Sequence, residues 1–329
     1  MNEDWLVDRF GRRHTYLRIS LTDRCNLRCT YCMPAEGLNW QPAQNQLTND
    51  ELLRIARVFV DAGVTRIRLT GGEPTLRSGL ENLIAELSSL PGLQTLAMTT
   101  NGLTLAEKAS VYKLLGLNGI NISVDSLQPE RYFAITRRDE FQKVMAGIDA
   151  ALTAGFETLK INVVVMVGVN DDEVLSFVDR FKDVPINVRF IEFMPFKGNG
   201  WSDTNLVPYR QLKAQIEEFY TLRPLVRDPS AVAKDFAIKG HVGTVSFITS
   251  MTDSFCATCN RIRLTSDGSI KSCLFFNHEI RIRDFMRAGA SDADLREKIR
   301  EALLLKPEAH GIPEELAQSD NRSMIQIGG

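Results

Sequence analysis

Three cysteines share one short stretch, Cys25-Asn26-Leu27-Arg28-Cys29-Thr30-Tyr31-Cys32, in C-x3-C-x2-C spacing. Three thiolates on a loop of this length can hold three irons of a [4Fe–4S] cubane, leaving the fourth iron without a protein ligand and open to a small molecule. Structural zinc is the competing chemistry, but it needs a fourth ligand and commonly pairs cysteines two residues apart. The other three cysteines, Cys256, Cys259 and Cys273, form a second triplet in C-x2-C-x13-C spacing. This triplet also lacks an obvious fourth ligand, although His278 could complete a zinc site. On the residues alone, iron–sulfur and zinc both stay open there.

The elements that must position these loops are βα units. Up to about residue 220, short β-rich runs alternate with amphipathic helical stretches, the pattern of a mainly parallel sheet. Six strands are expected, near 15–21, 64–70, 93–99, 119–124, 157–166 and 187–193. Helix signals fall between them, such as Thr48 with Glu51 three residues on, followed by Leu52, Leu53, Ile55, Ala56 and Phe59, a capping box opening an apolar face. A closed barrel of this kind takes eight strands. The expected fold class is therefore α/β, an incomplete (β/α)6 TIM-type barrel over residues 1–224. A smaller C-terminal domain, residues 225–329, would cover the open side and carry the second triplet, with a hairpin-like turn at Asp267-Gly268. The first cysteine loop directly follows the first strand, at the barrel end where catalytic loops gather.

Strand periodicity adds a second argument. Arg18 shares a face with Tyr16 and Ser20, Arg68 with Arg66 and Thr70, Thr99 with Thr95 and Ala97, and Lys160 with Thr158 and Asn162, while the opposite faces are mostly aliphatic. Helices cover the outside of such a barrel, so the polar faces should line its lumen. A lumen with several cations implies a multiply charged anionic substrate. No Gly-rich phosphate loop or dinucleotide fingerprint is present, so arginine and lysine must recognise any phosphate. The glycines of Thr70-Gly71-Gly72-Glu73-Pro74 permit close backbone approach to a ligand.

Across 329 residues, 39 basic side chains nearly balance 41 acidic ones, which argues against a nucleic-acid or anionic-membrane partner. The first fourteen residues are charged and the longest apolar run, 163–169, is too short to span a bilayer, so a cytoplasmic protein is expected. In a reducing compartment six cysteines are poor disulfide candidates. Dimerisation is left open.

The C-x3-C-x2-C loop with an aromatic residue, Tyr31, before its last cysteine resembles the hallmark of the radical S-adenosylmethionine superfamily. That resemblance implies a [4Fe–4S] cluster on Cys25, Cys29 and Cys32. Its open iron would chelate S-adenosylmethionine, and one electron would cleave the sulfonium bond to give a 5′-deoxyadenosyl radical. Gly72, Ser123 and Met194, with Tyr31, resemble the superfamily's cofactor contacts. The second triplet, the Arg261-Ile262-Arg263 segment after it and a sequence ending in Gly328-Gly329 resemble, over nearly the whole chain, the GTP-cyclising branch that begins molybdenum cofactor biosynthesis.

This closer resemblance implies a lyase with a second [4Fe–4S] cluster on Cys256, Cys259 and Cys273, whose open iron receives the guanine of GTP. Arg18, Arg68, Thr99, Lys160, Arg261, Ile262 and Arg263 would bind GTP. Arg18, Lys160, Arg261, Arg263, Gly328 and Gly329 would form the catalytic set, the double glycine entering the active site. The radical would take hydrogen from ribose C3′, the carbon radical would attack C8, and reduction would give 3′,8-cyclo-7,8-dihydro-GTP. The resemblance further implies an external low-potential electron donor, and a cyclic pyranopterin monophosphate synthase that takes the product. Two rivals make different demands. A radical peptide-modifying enzyme would want more C-terminal cysteines and a peptide-binding segment before the barrel, and an iron–sulfur RNA sensor a broad basic face.

Overall fold

The computed structural model describes residues 5–33, 38, 40–226 and 228–328. Gly329 lies outside the described residues. All six expected strands form: β1 (Tyr16–Ser20), β2 (Arg66–Thr70), β3 (Thr95–Thr100), β4 (Gly119–Ser123), β5 (Thr158–Val165) and β6 (Asn187–Glu192). Each pairs in parallel with the next. Their outward residues, among them Leu17, Ile19, Ile67, Leu69, Ile120, Ile122, Ile161, Val163 and Phe190, are buried in one continuous core. Helix α1 (Asn49–Asp61) shows how the covering layer forms. Thr48 Oγ1 accepts from the Glu51 amide at 3.2 Å and Glu51 Oε2 from the Thr48 amide at 2.7 Å, and behind that box Leu52, Ile55, Ala56 and Phe59 are buried. Each such side chain contributes roughly 1.5–3 kcal/mol on full burial, except alanine, which offers less surface.

The later strands are β7 (Leu222–Pro224), β8 (Ala233–Ile238), β9 (Thr244–Ile248), β10 (Arg261–Leu264), β11 (Ser269–Lys271) and β12 (Ile280–Arg281). They extend the same sheet at both edges, in the order β12-β11-β10-β1-β2-β3-β4-β5-β6-β9-β8-β7. β10 lies parallel to β1 and β9 parallel to β6, whereas the flanking pairs are antiparallel. Eight neighbouring strands therefore run parallel, the number a closed barrel uses. Two of them come from the stretch where the βα rhythm has stopped, so period alone did not announce them. Gly268, with φ +78°, closes the turn between β10 and β11, where its amide donates to the Thr265 carbonyl at 3.0 Å. No helix among the described residues is long and apolar enough to cross a membrane.

Candidate active site

The strands enclose a cavity of about 590 Å³. Its walls follow from register. Arg263 pairs with Arg18, which pairs with Arg68, and one layer away Arg261, Tyr16 and Arg66 stand side by side. Further round, Asn121 lies beside Lys160, and Asn162 beside Arg189. All of these residues line the cavity, together with Thr99 and Ser123. Buried Nε of Arg189, Nε of Arg261, Oδ1 of Asn121 and Oδ1 of Asn162 have no hydrogen-bond partner among the described residues. Buried polar atoms are rarely left so, and a polar ligand in the lumen would satisfy them.

The cations crowd one another. Burial, and then the Arg189 guanidinium, bring Lys160 down to about 8. Burial brings Arg18 and Arg189 to about 10. Tyr16 responds to the same crowding. Burial opposes its ionisation, but Arg68, which donates to the hydroxyl from Nε at 2.5 Å, with Arg18 and Arg189, draws it down to about 7. So many positive groups facing one void match a polyanion.

The first cysteine loop closes one end. Asn26 Oδ1 accepts from Asn101 Nδ2 at 2.7 Å, and Glu73 fixes that neighbour by accepting from the Asn101 amide at 2.8 Å. Backbone bonds from Arg28 and Thr30 reach the carbonyls of Thr136 and Ile135, at the end of the helix Pro129–Thr136. Tyr31 donates to Asp125 Oδ2 at 2.7 Å, and burial holds that carboxyl up at about 6. Burial pushes the Cys25 thiol to about 11 and Cys32 to about 12. The Cys29 thiol is raised as well, by burial and then by the negative charge of Cys32. Three thiols of one loop that line the cavity and resist ionisation suit a metal centre, whose positive charge supports the thiolates.

Gly72 has a structural reason in addition to its place on the cavity wall. Its amide donates to the Thr22 carbonyl at 2.7 Å, and a Cβ there would stand 2.3 Å from the Arg24 carbonyl oxygen. Gly72→Ala must therefore displace the backbone that leads into Cys25. The expected result is loss of the iron held by the first triplet and of S-adenosylmethionine cleavage; unchanged iron with full cleavage would show that the loop tolerates the shift.

The second triplet lies at the opposite end. Cys25 follows β1, whereas Cys259 precedes the parallel β10 and Cys273 follows the antiparallel β11. All six cysteines nevertheless line the one cavity. Cys259 differs from the first set: burial opposes its ionisation, but Arg261 and Lys306 outweigh it and draw the thiol to about 6. His278, the zinc-ligand candidate, packs on Phe276 at 5.2 Å between ring centroids. It is His310 that acts on the Cys256 thiol and shares the cavity wall. Ile262 is fully buried on the core side of β10, so its side chain is turned from the cavity and only its backbone can meet a ligand. Met194 lines the wall as well.

The tail also reaches this space. Helix Met324–Ile327 buries Ile327 against Phe196, Phe275 and Leu316. Gly328 follows with φ +89°, its carbonyl accepting from Arg263 Nη1 at 2.8 Å.

The radical S-adenosylmethionine superfamily model matches residues 19–181 and the molybdenum cofactor synthesis C model residues 186–312. The chain is 51% identical over 327 residues to a mitochondrial GTP 3′,8-cyclase of Arabidopsis thaliana, covering 99% of this chain and 84% of that one. It is 43% identical to a GTP 3′,8-cyclase of Moorella thermoacetica, covering 98% of this chain and 100% of that one. The chain belongs to the GTP 3′,8-cyclase family.

Members differ in length: the chain spans only 51% of the molybdenum cofactor biosynthesis protein 1 of Mus musculus, to which it is 47% identical over 98% of its own residues. Solved structures with the same fold include Streptococcus suis SuiB, with a TM-score of 0.59, 17% identity and coverage of 95% of this chain and 77% of that one. Another is anSMEcpe with bound AdoMet, with a TM-score of 0.60, 15% identity and coverage of 92% of this chain and 80% of that one. As a member of the family this is a radical S-adenosylmethionine enzyme, and it uses that cofactor with iron–sulfur chemistry. Arg189, Asn121 and His310 are cavity residues that the sequence reading did not single out. Arg189 had a usable signal, since it alternates with Val188 and Phe190 on β6 as Arg18 does with Leu17 and Ile19 on β1. His310 had none, because it lies outside any strand.

Proposed function

We propose that this protein converts GTP to (8S)-3′,8-cyclo-7,8-dihydroguanosine 5′-triphosphate, the first step of molybdenum cofactor biosynthesis, using two [4Fe–4S] clusters. One observation carries the reading: a cysteine triplet stands at each end of a single cation-lined cavity. When bound, S-adenosylmethionine and an iron–sulfur cluster supply the electron and the carbon radical that activation of an unreactive C–H bond requires.

The protein's own residues hold and orient. Cys25, Cys29 and Cys32 would hold one cluster, with Tyr31, Gly72, Ser123 and Met194 around the cofactor. Cys256, Cys259 and Cys273 would hold the other and face the base. Arg18, Arg68, Lys160, Arg261 and Arg263, joined by Arg189, would grip the triphosphate, with Thr99 and the Ile262 backbone beside it. Charge-assisted bonds remote from the reacting carbon supply the binding energy that holds C3′ against C8. Gly328 and Gly329 would complete the wall and exclude water. The division near residue 224 is proposed as one of function, because the later strands continue the barrel sheet. An external low-potential donor and a downstream cyclic pyranopterin monophosphate synthase are proposed as partners.

The test is anaerobic reconstitution followed by mass analysis with S-adenosylmethionine and GTP, ATP or a peptide mixture. The expected product is isomeric with GTP, chromatographically distinct, and formed together with 5′-deoxyadenosine. Consumption of ATP or peptide in preference to GTP would overturn the reading. Arg261→Ala should weaken GTP use by roughly 1–3 kcal/mol while leaving dithionite-driven S-adenosylmethionine cleavage measurable. Equal loss of both activities would instead give Arg261 a role in the fold or at the first cluster.

A further inference from the structure

Lys306 has no part in the chemistry above, yet it is among the most deeply buried long side chains in the protein, 2% exposed. Its ammonium lies 2.8 Å from His14 Nε2, 2.9 Å from the Arg261 carbonyl, 3.4 Å from the Cys259 carbonyl and 3.5 Å from Cys259 Sγ. Burial lowers its pKa; against that, the sulfurs of Cys259 and Cys273 favour the charged form, while the Arg12 and Arg261 guanidiniums oppose it. Burying an ammonium is costly, and an aliphatic side chain would fill the same space at less cost if packing were all that mattered.

His14 is built to orient that ammonium. Its Nδ1 lies 3.2 Å from the Leu6 carbonyl. A carbonyl only accepts, so Nδ1 carries the proton and the Nε2 lone pair faces Lys306. Burial and then the Lys306 charge hold the imidazole down at about 3, which keeps it neutral. Around it, Arg12 ties the same segment to the second triplet. Arg12 Nε donates to Asp8 at 2.6 Å, Nη1 to the carbonyls of Cys256 and Glu308 at 2.8 and 2.7 Å, and Nη2 to that of Pro307 at 2.7 Å. Residues 6–14 thus clamp the Lys306 turn onto the cysteines.

We infer that Lys306, oriented by His14, is a positioning residue for the second cluster, its ammonium hydrogen-bonding Cys259 Sγ and thereby raising that centre's reduction potential. The inference rests on the two-cluster reading. A cation donating to a ligand sulfur favours the reduced, more negative state, and hydrogen bonds to sulfur and net charge are known levers on cluster potential.

The test uses full-length protein in which Cys25, Cys29 and Cys32 are alanine, so that only the second triplet holds iron. In an EPR-monitored titration, Lys306→Met should lower the ratio of reduced to oxidised cluster at fixed potential at least tenfold, about 59 mV for one electron. Pulsed EPR of the otherwise unsubstituted protein, labelled with lysine carrying 15N only at Nζ, should show one nitrogen coupled to the reduced second cluster; this decides the matter if Lys306→Met fails to fold. Iron on the second triplet with no lysine coupling, or with a potential that Lys306→Met leaves unmoved, overturns this inference alone. Zinc or no metal there overturns the two-cluster reading and this inference together.

Discussion

Gly328→Ala is expected to cut cyclic product at least tenfold, about 1.4 kcal/mol of barrier, while iron content and melting temperature stay nearly unchanged. Gly328 sits at φ +89°, a conformation that L side chains rarely adopt. A Cβ would stand 2.6 Å from Ser20 Cβ and 2.9 Å from Thr70 Oγ1. Those two residues are paired across β1 and β2 and cannot move without opening the sheet. The tail is the softer partner and would withdraw, taking its carbonyl from Arg263. Because the helix before Gly328 keeps its own apolar contacts through Ile327, the fold should survive. Deleting Gly328 and Gly329 should act in the same direction. Product assay, iron analysis and thermal melting on one preparation check this, and full cyclisation by Gly328→Ala would remove the tail from the catalytic set.

Replacing Cys256, Cys259 and Cys273 together by alanine should abolish cyclisation while leaving S-adenosylmethionine cleavage in place. On the proposed two-cluster reading, iron should fall from about eight to about four atoms per chain, one cubane being lost with its triplet. The two sites are separable because they lie at opposite ends of the strands, and the first loop is braced by Asn101, Thr136 and Ile135. The measurements are iron and sulfide analysis with separate assays of 5′-deoxyadenosine and cyclic product. Stoichiometric zinc at the second triplet of protein prepared anaerobically with ample iron would sink the assignment. His278 packs on Phe276, whereas His310 meets Cys256 and lines the cavity, so His310 is the histidine that a zinc site would draw on.

Residue type and short-range spacing determined much of this protein. The first triplet, the six βα strands and the polar face on each strand are local patterns, because period-two alternation and a loop of eight residues are fixed by covalent geometry. The capping box of α1 is equally local, four residues closing on themselves. The tertiary structure decided what those patterns face. Arg263 stands beside Arg18 only because β10, about 245 residues further along the chain, adds in parallel to β1, and no sequence period encodes a pairing between such distant strands. Ile262 was drawn in by its neighbours, yet alternation on β10 turns it into the core. Lys306 and His14 meet across 292 positions, in segments that carry no motif, because the cost of burying an ammonium is met by acceptors that only the assembled fold brings together.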